Sequence, residues 1–177
     1  MITGVNIMDV LTDMARTGGL GVLKPGTSLD EVSGVLGAPA VADYVPDAEP
    51  SWPRTFAYGD VRLEVCRCGL IHRVALSTWT ESVRIPATCA GARTDTVTGT
   101  AGMSPTATFA QLRAALDLAR VAWESDLELA SQFSIVVDRA PILVRFTFAT
   151  DAGAGAADRS DGTLHSAIAR DTEHMCP

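Results

Sequence analysis

Chemistry in this chain would have to come from its four cysteines and three histidines. Cys66 and Cys68 flank Arg67 and would share one face of a strand. With Cys89, Cys176 or His72 they could supply the sulfur and nitrogen donors that zinc takes in a tetrahedron. Structural zinc pairs are usually C-x2-C, whereas this pair is C-x-C with scattered partners. The cysteines therefore read as small side chains in a crowded sheet, and no metal or cofactor is expected. His72, His165 and His174 titrate near neutral pH, but none stands beside a Ser or Cys in a G-x-S-x-G setting, so no catalytic triad can be assembled. The P-loop, the dinucleotide G-x-G-x-x-G, the H-E-x-x-H helix and the EF-hand loop are absent from the sequence. Gly153 and Gly155 lie in a loop without the strand and helix those motifs need. Asp43, Asp47 and Glu49 read as a solvated acidic loop rather than a calcium site. No catalytic residue is expected.

These residues depend on the elements that carry them. Apolar residues make up 47% of the 177 and charged residues 20%, enough to cover a core without the composition of a membrane protein or a disordered chain. Fourteen basic against twenty-one acidic side chains give a net charge of −7, which repels phosphates and argues against nucleic acid. The same excess would speed encounter with a basic protein. The first ten residues carry Asp9 and no Lys or Arg, so no signal peptide is expected, and no run approaches the roughly 18 apolar residues of a membrane helix. These features point to the cytoplasm, where the cysteines would stay reduced.

Ile7, Val10, Leu11 and Met14 form one apolar helical stripe, capped by Asn6 and ended by Gly18 and Gly19. Ser28 and Glu31 read as a capping box for a second helix that turns Leu29, Val32, Val35 and Leu36 inward and stops at Gly37 and Pro39. A proline-rich acidic loop leads to Trp52. A meander of three strands follows, Arg54 to Tyr58, Val61 to Cys68 and Leu70 to Trp79, with Val61, Leu63 and Val65 on one face and Arg62, Glu64 and Cys66 on the other.

After a Thr/Gly-rich connector, Thr108 and Gln111 form a second capping box, and Phe109, Leu112, Ala115 and Leu116 repeat the spacing of Leu29, Val32, Val35 and Leu36. Strands are expected at Gln132 to Val137 and Pro141 to Phe148, and a strand or short helix at Leu164 to Arg170. Ile142, Val144, Phe146 and Phe148 would face the helices, with Leu143, Arg145 and Thr147 turned away. The expected fold is α+β, with two tandem helix-plus-antiparallel-sheet units whose helices lie on one sheet face. The units are residues 1–93 and 106–177, and 94–105 is the connector.

Pro25-Gly26-Thr27-Ser28-Leu29-Asp30-Glu31-Val32, then Leu36-Gly37-Ala38-Pro39, then Tyr58-Gly59-Asp60-Val61 before a meander, resembles the head of the β-lactamase inhibitor protein fold. The small lipoproteins of outer-membrane assembly share that pattern. In the tandem inhibitor proteins two such units set their sheets side by side, and a concave sheet face grips a partner protein. The resemblance therefore implies architecture, and a binding face by analogy. It covers about residues 23–79 well and the second unit weakly, since Asp117 stands where the helix-ending glycine would be. No inhibitory loop can be matched residue by residue.

The outward sheet face, with Arg62, Glu64, Arg73, Ser77, Trp79 and Arg145, mixes an aromatic anchor with arginines, the composition binding hot spots favour. The expected function is a non-enzymatic protein-binding module acting through that face, an immunity or inhibitor protein being the form it would take. The partner would be another protein, a basic one by the overall charge, with neither nucleic acid nor membrane involved. The alternative is a small-molecule-binding protein or enzyme with a pocket between the two units, lined by His72, Cys66 and Cys68. A purely structural subunit would instead bury its outer apolar residues by self-association.

Overall fold

The computed structural model describes residues 6–42, 51–78, 82–90, 100–104, 106–129, 132–150 and 162–176. Helix α1 (Ile7–Thr17) starts where Asn6 Oδ1 accepts from the Met8 amide at 3.0 Å, and buries Ile7, Val10, Leu11 and Met14. It ends at Gly18, whose left-handed φ of 77° suits glycine and whose position lies against Ile142. Helix α2 (Leu29–Leu36) is capped by Ser28 Oγ, which accepts from the Glu31 amide at 3.1 Å. Val32 is fully buried, whereas Val35, expected inward, is 41% exposed. So short a helix touches the core along the narrow stripe Leu29, Val32 and Leu36, and Val35 falls beside it. Helix α3 (Phe109–Leu118) carries a complete capping box: the Gln111 amide donates to Thr108 Oγ1 and the Thr108 amide to Gln111 Oε1.

The strands are β1 (Ala40–Val41), β2 (Arg54–Tyr58), β3 (Val61–Val65), β4 (Ile71–Ser77), β5 (Val83–Pro86), β6 (Thr100–Met103), β7 (Glu124–Leu129), β8 (Gln132–Arg139), β9 (Ile142–Ala149) and β10 (Thr163–Asp171). Eight of them form one antiparallel sheet in the order β1-β2-β3-β4-β10-β9-β8-β7, while β5 and β6 form a separate two-stranded ribbon. The α+β class is as expected. The connector is not plain, because Thr100–Met103 pairs with Val83–Pro86, and the segment at Leu164 to Arg170 is a strand. Strand β3 ends at Val65, so Cys66 and Cys68 sit in the β3–β4 turn rather than on a strand face.

Val61, Leu63 and Val65 of β3, Val74 and Leu76 of β4, Phe133, Ile135 and Val137 of β8, and Val144, Phe146 and Phe148 of β9 share one buried cluster with Leu11, Met14, Val32, Leu112 and Leu116 of the helices. The helices therefore cover one sheet face, and the alternate residues face away. Phe109 docks edge-on against both Phe133 and Phe148, with centroids 5.1 and 5.5 Å away.

The halves are tied in matching ways. The Leu29 amide donates to Gly69 O and the Ile71 amide to Thr27 O; in the second half the Phe109 amide donates to Gly162 O and the Leu164 amide to Ala107 O. Each capped helix start is thus sewn to the first residues of the strand that reaches the sheet centre, β4 in one half and β10 in the other.

Candidate functional site

The register of the sheet lays the outward residues out in rows. One row runs Thr55, Glu64, Arg73, Arg170, Leu143 and Asp138; the next runs Ala57, Arg62, Ala75, Ile168, Arg145, Val136 and Glu124; a third runs Ser77, Ser166, Thr147, Ser134 and Asp126. Where the first two rows cross the β4–β10 seam they line a groove of about 520 Å³, bounded by Glu64, His72, Arg73, Leu143, Arg145, Ile168 and Arg170.

A shift in register makes the polar end of this groove. Glu64 lies opposite Arg73 but Val65 lies opposite Ile71, so His72 is the extra residue of a bulge. Two consecutive side chains of β4 thereby reach the same carboxylate. Arg73 Nη1 pairs with Glu64 Oε1, and His72 Nε2 lies 3.5 Å from Glu64 Oε2. Burial holds the His72 imidazole below its ordinary value of 6.5, opposed by Glu64 and reinforced by His174, Arg73 and Arg170. On the other side Arg145 Nη1 is 3.1 Å from Asp126 Oδ2. No carboxylate pairs with Arg170 among the described residues.

Of the residues expected to form the site, Arg62, Glu64, Arg73, Ser77 and Arg145 all lie on the outward face. Glu64, Arg73 and Arg145 come together in the groove; Arg62 and Ser77 stand beside it, and Trp79 lies outside the described residues. The groove adds His72, Leu143, Ile168 and Arg170. Arg170 was within reach of the sequence, because reading Leu164 to Arg170 as a strand puts Ser166, Ile168 and Arg170 on one face. The bulge that turns His72 outward leaves no sequence mark.

The cysteines do not line the groove. Cys66 is joined to Cys176 in a disulfide with Cα atoms 6.3 Å apart, against the expectation that all four would be reduced. Antiparallel pairing of β4 with β10 carries the segment after Asp171 to the β3–β4 turn, a proximity that their sequence separation of 110 conceals. Cys68 is exposed and Cys89 buried, both as free thiols.

Among the described residues, no helix is long and apolar enough to cross a membrane. No known family profile and no curated protein matches the chain. Among solved structures it is similar to a DUF4309 family protein, YjgB, from Bacillus subtilis, at 11% identity and a TM-score of 0.44 over 95% of this chain and 97% of that one.

Proposed function

We propose that this chain is a non-enzymatic protein-binding module that holds an acidic segment of a partner protein in the outward groove. On this reading it consists of two tandem units built like those of the β-lactamase inhibitor protein fold. The matched helix-to-strand hydrogen bonds of the two halves and the mirrored strand order support the tandem reading. The observation that carries the functional one is the lining of the groove. Arg73, Arg145 and Arg170 surround an apolar floor of Ile168 and Leu143, with Glu64 as the one acid among the lining residues. Arginine above apolar surface is the makeup of binding hot spots, and its planar fork grips carboxylates in pairs. The acidic excess of the whole chain would draw a basic partner, but the groove itself is cationic, so what enters it is a carboxylate-bearing segment.

A second reading has its own support. The groove straddles the seam between the halves and falls within the 300 to 1,000 Å³ typical of small-molecule sites, which suits a small anionic ligand held by the same arginines.

The test is a pull-down from native extract with wild-type protein and an Arg73→Ala/Arg170→Ala variant shown by circular dichroism to be folded. The binding-module reading expects a stoichiometric protein that the variant loses, and a synthetic acidic peptide from that protein that competes for it. Retention of the same protein by the variant overturns it. Capture of no protein, together with a thermal shift on adding small dicarboxylates, moves the assignment to the second reading.

A further inference from the structure

The β3–β4 turn and the segment after β10 each bring two metal-binding side chains to one place. In the turn, the Cys66 amide donates to Leu70 O and the Gly69 amide to Cys66 O, both at 2.9 Å, and Gly69 takes a φ of 83° that suits glycine. This local bonding fixes Cys66 and Cys68 as a C-x-C pair. After β10, Asp171 Oδ1 accepts from the amides of Glu173 at 2.9 Å and His174 at 3.0 Å. Thr172 donates through both its amide and its hydroxyl to Pro141 O at 2.9 Å. That segment presents His174 and Cys176 as an H-x-C pair of the same spacing.

The donor atoms of Cys66, Cys68, His174 and Cys176 all lie within 4.8 Å of one another. Cys68 Sγ is 3.6 Å from His174 Nε2. With zinc–sulfur bonds of about 2.3 Å and zinc–nitrogen bonds of about 2.0 Å, a tetrahedral site has ligand-to-ligand edges of roughly 3.5 to 3.8 Å. Three thiolates and one imidazole are a donor set of closed structural zinc sites. A second imidazole lies beside the ligand. The rings of His72 and His174 are near-parallel, with centroids 6.3 Å apart and planes 8° apart, and His72 Nε2 faces Glu64.

We propose that, once the Cys66–Cys176 bond is reduced, Cys66, Cys68, His174 and Cys176 hold a zinc ion that clasps the segment after β10 to the β3–β4 turn. Disulfide and metal are alternatives, because a sulfur bonded to sulfur has no thiolate to donate. A dithiol reductant supplies two electrons and two protons to the Cys66–Cys176 bond, leaving two thiols while the reductant closes to its own disulfide. Zinc then displaces the protons of three thiols and takes the lone pair of His174 Nε2. In a reducing compartment the chain would carry the metal, and in an oxidising one the disulfide. Neither state depends on what the groove binds.

Cobalt(II) titration of the full-length protein tests this, since tetrahedral thiolate coordination gives visible d–d and near-ultraviolet charge-transfer bands. Anaerobically reduced protein, folded by circular dichroism, is expected to take up one cobalt ion per chain that zinc displaces. Protein with the disulfide intact should show no such bands. Cys68→Ser and His174→Ala leave the disulfide pair in place, so they can be purified oxidised and folded before reduction; each should weaken uptake at least tenfold. Reduced, folded wild-type protein without the bands, or either variant binding like wild type, overturns the proposal.

Discussion

Arg73 of β4 and Arg170 of β10 lie directly opposite one another across the central pairing of the sheet. Like charges directly opposite one another in a sheet are destabilising, and an arrangement made for stability alone would set unlike ones there. Glu64 answers Arg73 from the far side, and no carboxylate pairs with Arg170 among the described residues.

Arg170→Ala is therefore expected to leave stability unchanged or raise it by a few tenths of a kcal/mol while weakening partner binding. Urea denaturation gives the first quantity and titration calorimetry with the captured partner the second. A variant that loses stability and keeps its affinity would assign Arg170 to the fold.

Gly59→Ala should be costly for a different reason. Gly59 has a φ of 62°, and a Cβ placed on it would lie 2.5 Å from the Arg84 carbonyl oxygen. That carbonyl accepts from the Asp60 amide at 2.7 Å, and Asp60 Oδ2 accepts from the Arg84 amide at 2.6 Å. The substitution strains the β2–β3 turn and pushes away the β5–β6 ribbon docked on it, at a cost of more than about 1 kcal/mol. Hydrogen exchange should show the Arg84 amide losing protection before the central strands do.

Cys89 is buried, and burial raises its thiol above the ordinary value of 9.0. In the native protein iodoacetamide should modify exposed Cys68 and spare Cys89 until the chain is unfolded. The unfolded chain ionises this thiol at lower pH than the folded one. Its contribution to stability is thus complete below pH 9.0 and declines as pH rises above it. Chemical denaturation of wild type and Cys89→Ala across that range should show a shallower decline in the variant.

Local signals located the parts of this fold that depend on local physics. Asn6, Ser28 and Thr108 each cap the helix they were expected to start, and the alternation that sets Arg62 against Leu63 and Arg145 against Val144 put Glu64, Arg73 and Arg145 on one face. What the sequence hid depends on partners far along the chain. Thr100–Met103 is a strand because Val83–Pro86 lies beside it, and nothing in its Thr/Gly-rich composition announces that. Of the cluster of Cys66, Cys68, His174 and Cys176, the sequence offers Cys176 only as one of several scattered partners for the C-x-C pair and does not offer His174, because the β4–β10 pairing that brings residues 174 and 176 to the turn is long-range.

The sheet order has a kinetic meaning. Within the eight-stranded sheet every pairing except that of β4 with β10 joins strands adjacent in sequence. Each half can zip up from its own hairpins, whereas in the reduced chain, without the Cys66–Cys176 bond that ties the ends of β4 and β10, their union must wait for a long loop to close. Lesions at that union should therefore hasten unfolding of the reduced chain far more than they slow its folding, and the Cys66–Cys176 bond, lying at the end of the seam beneath the groove, holds together the pairing that would otherwise part first.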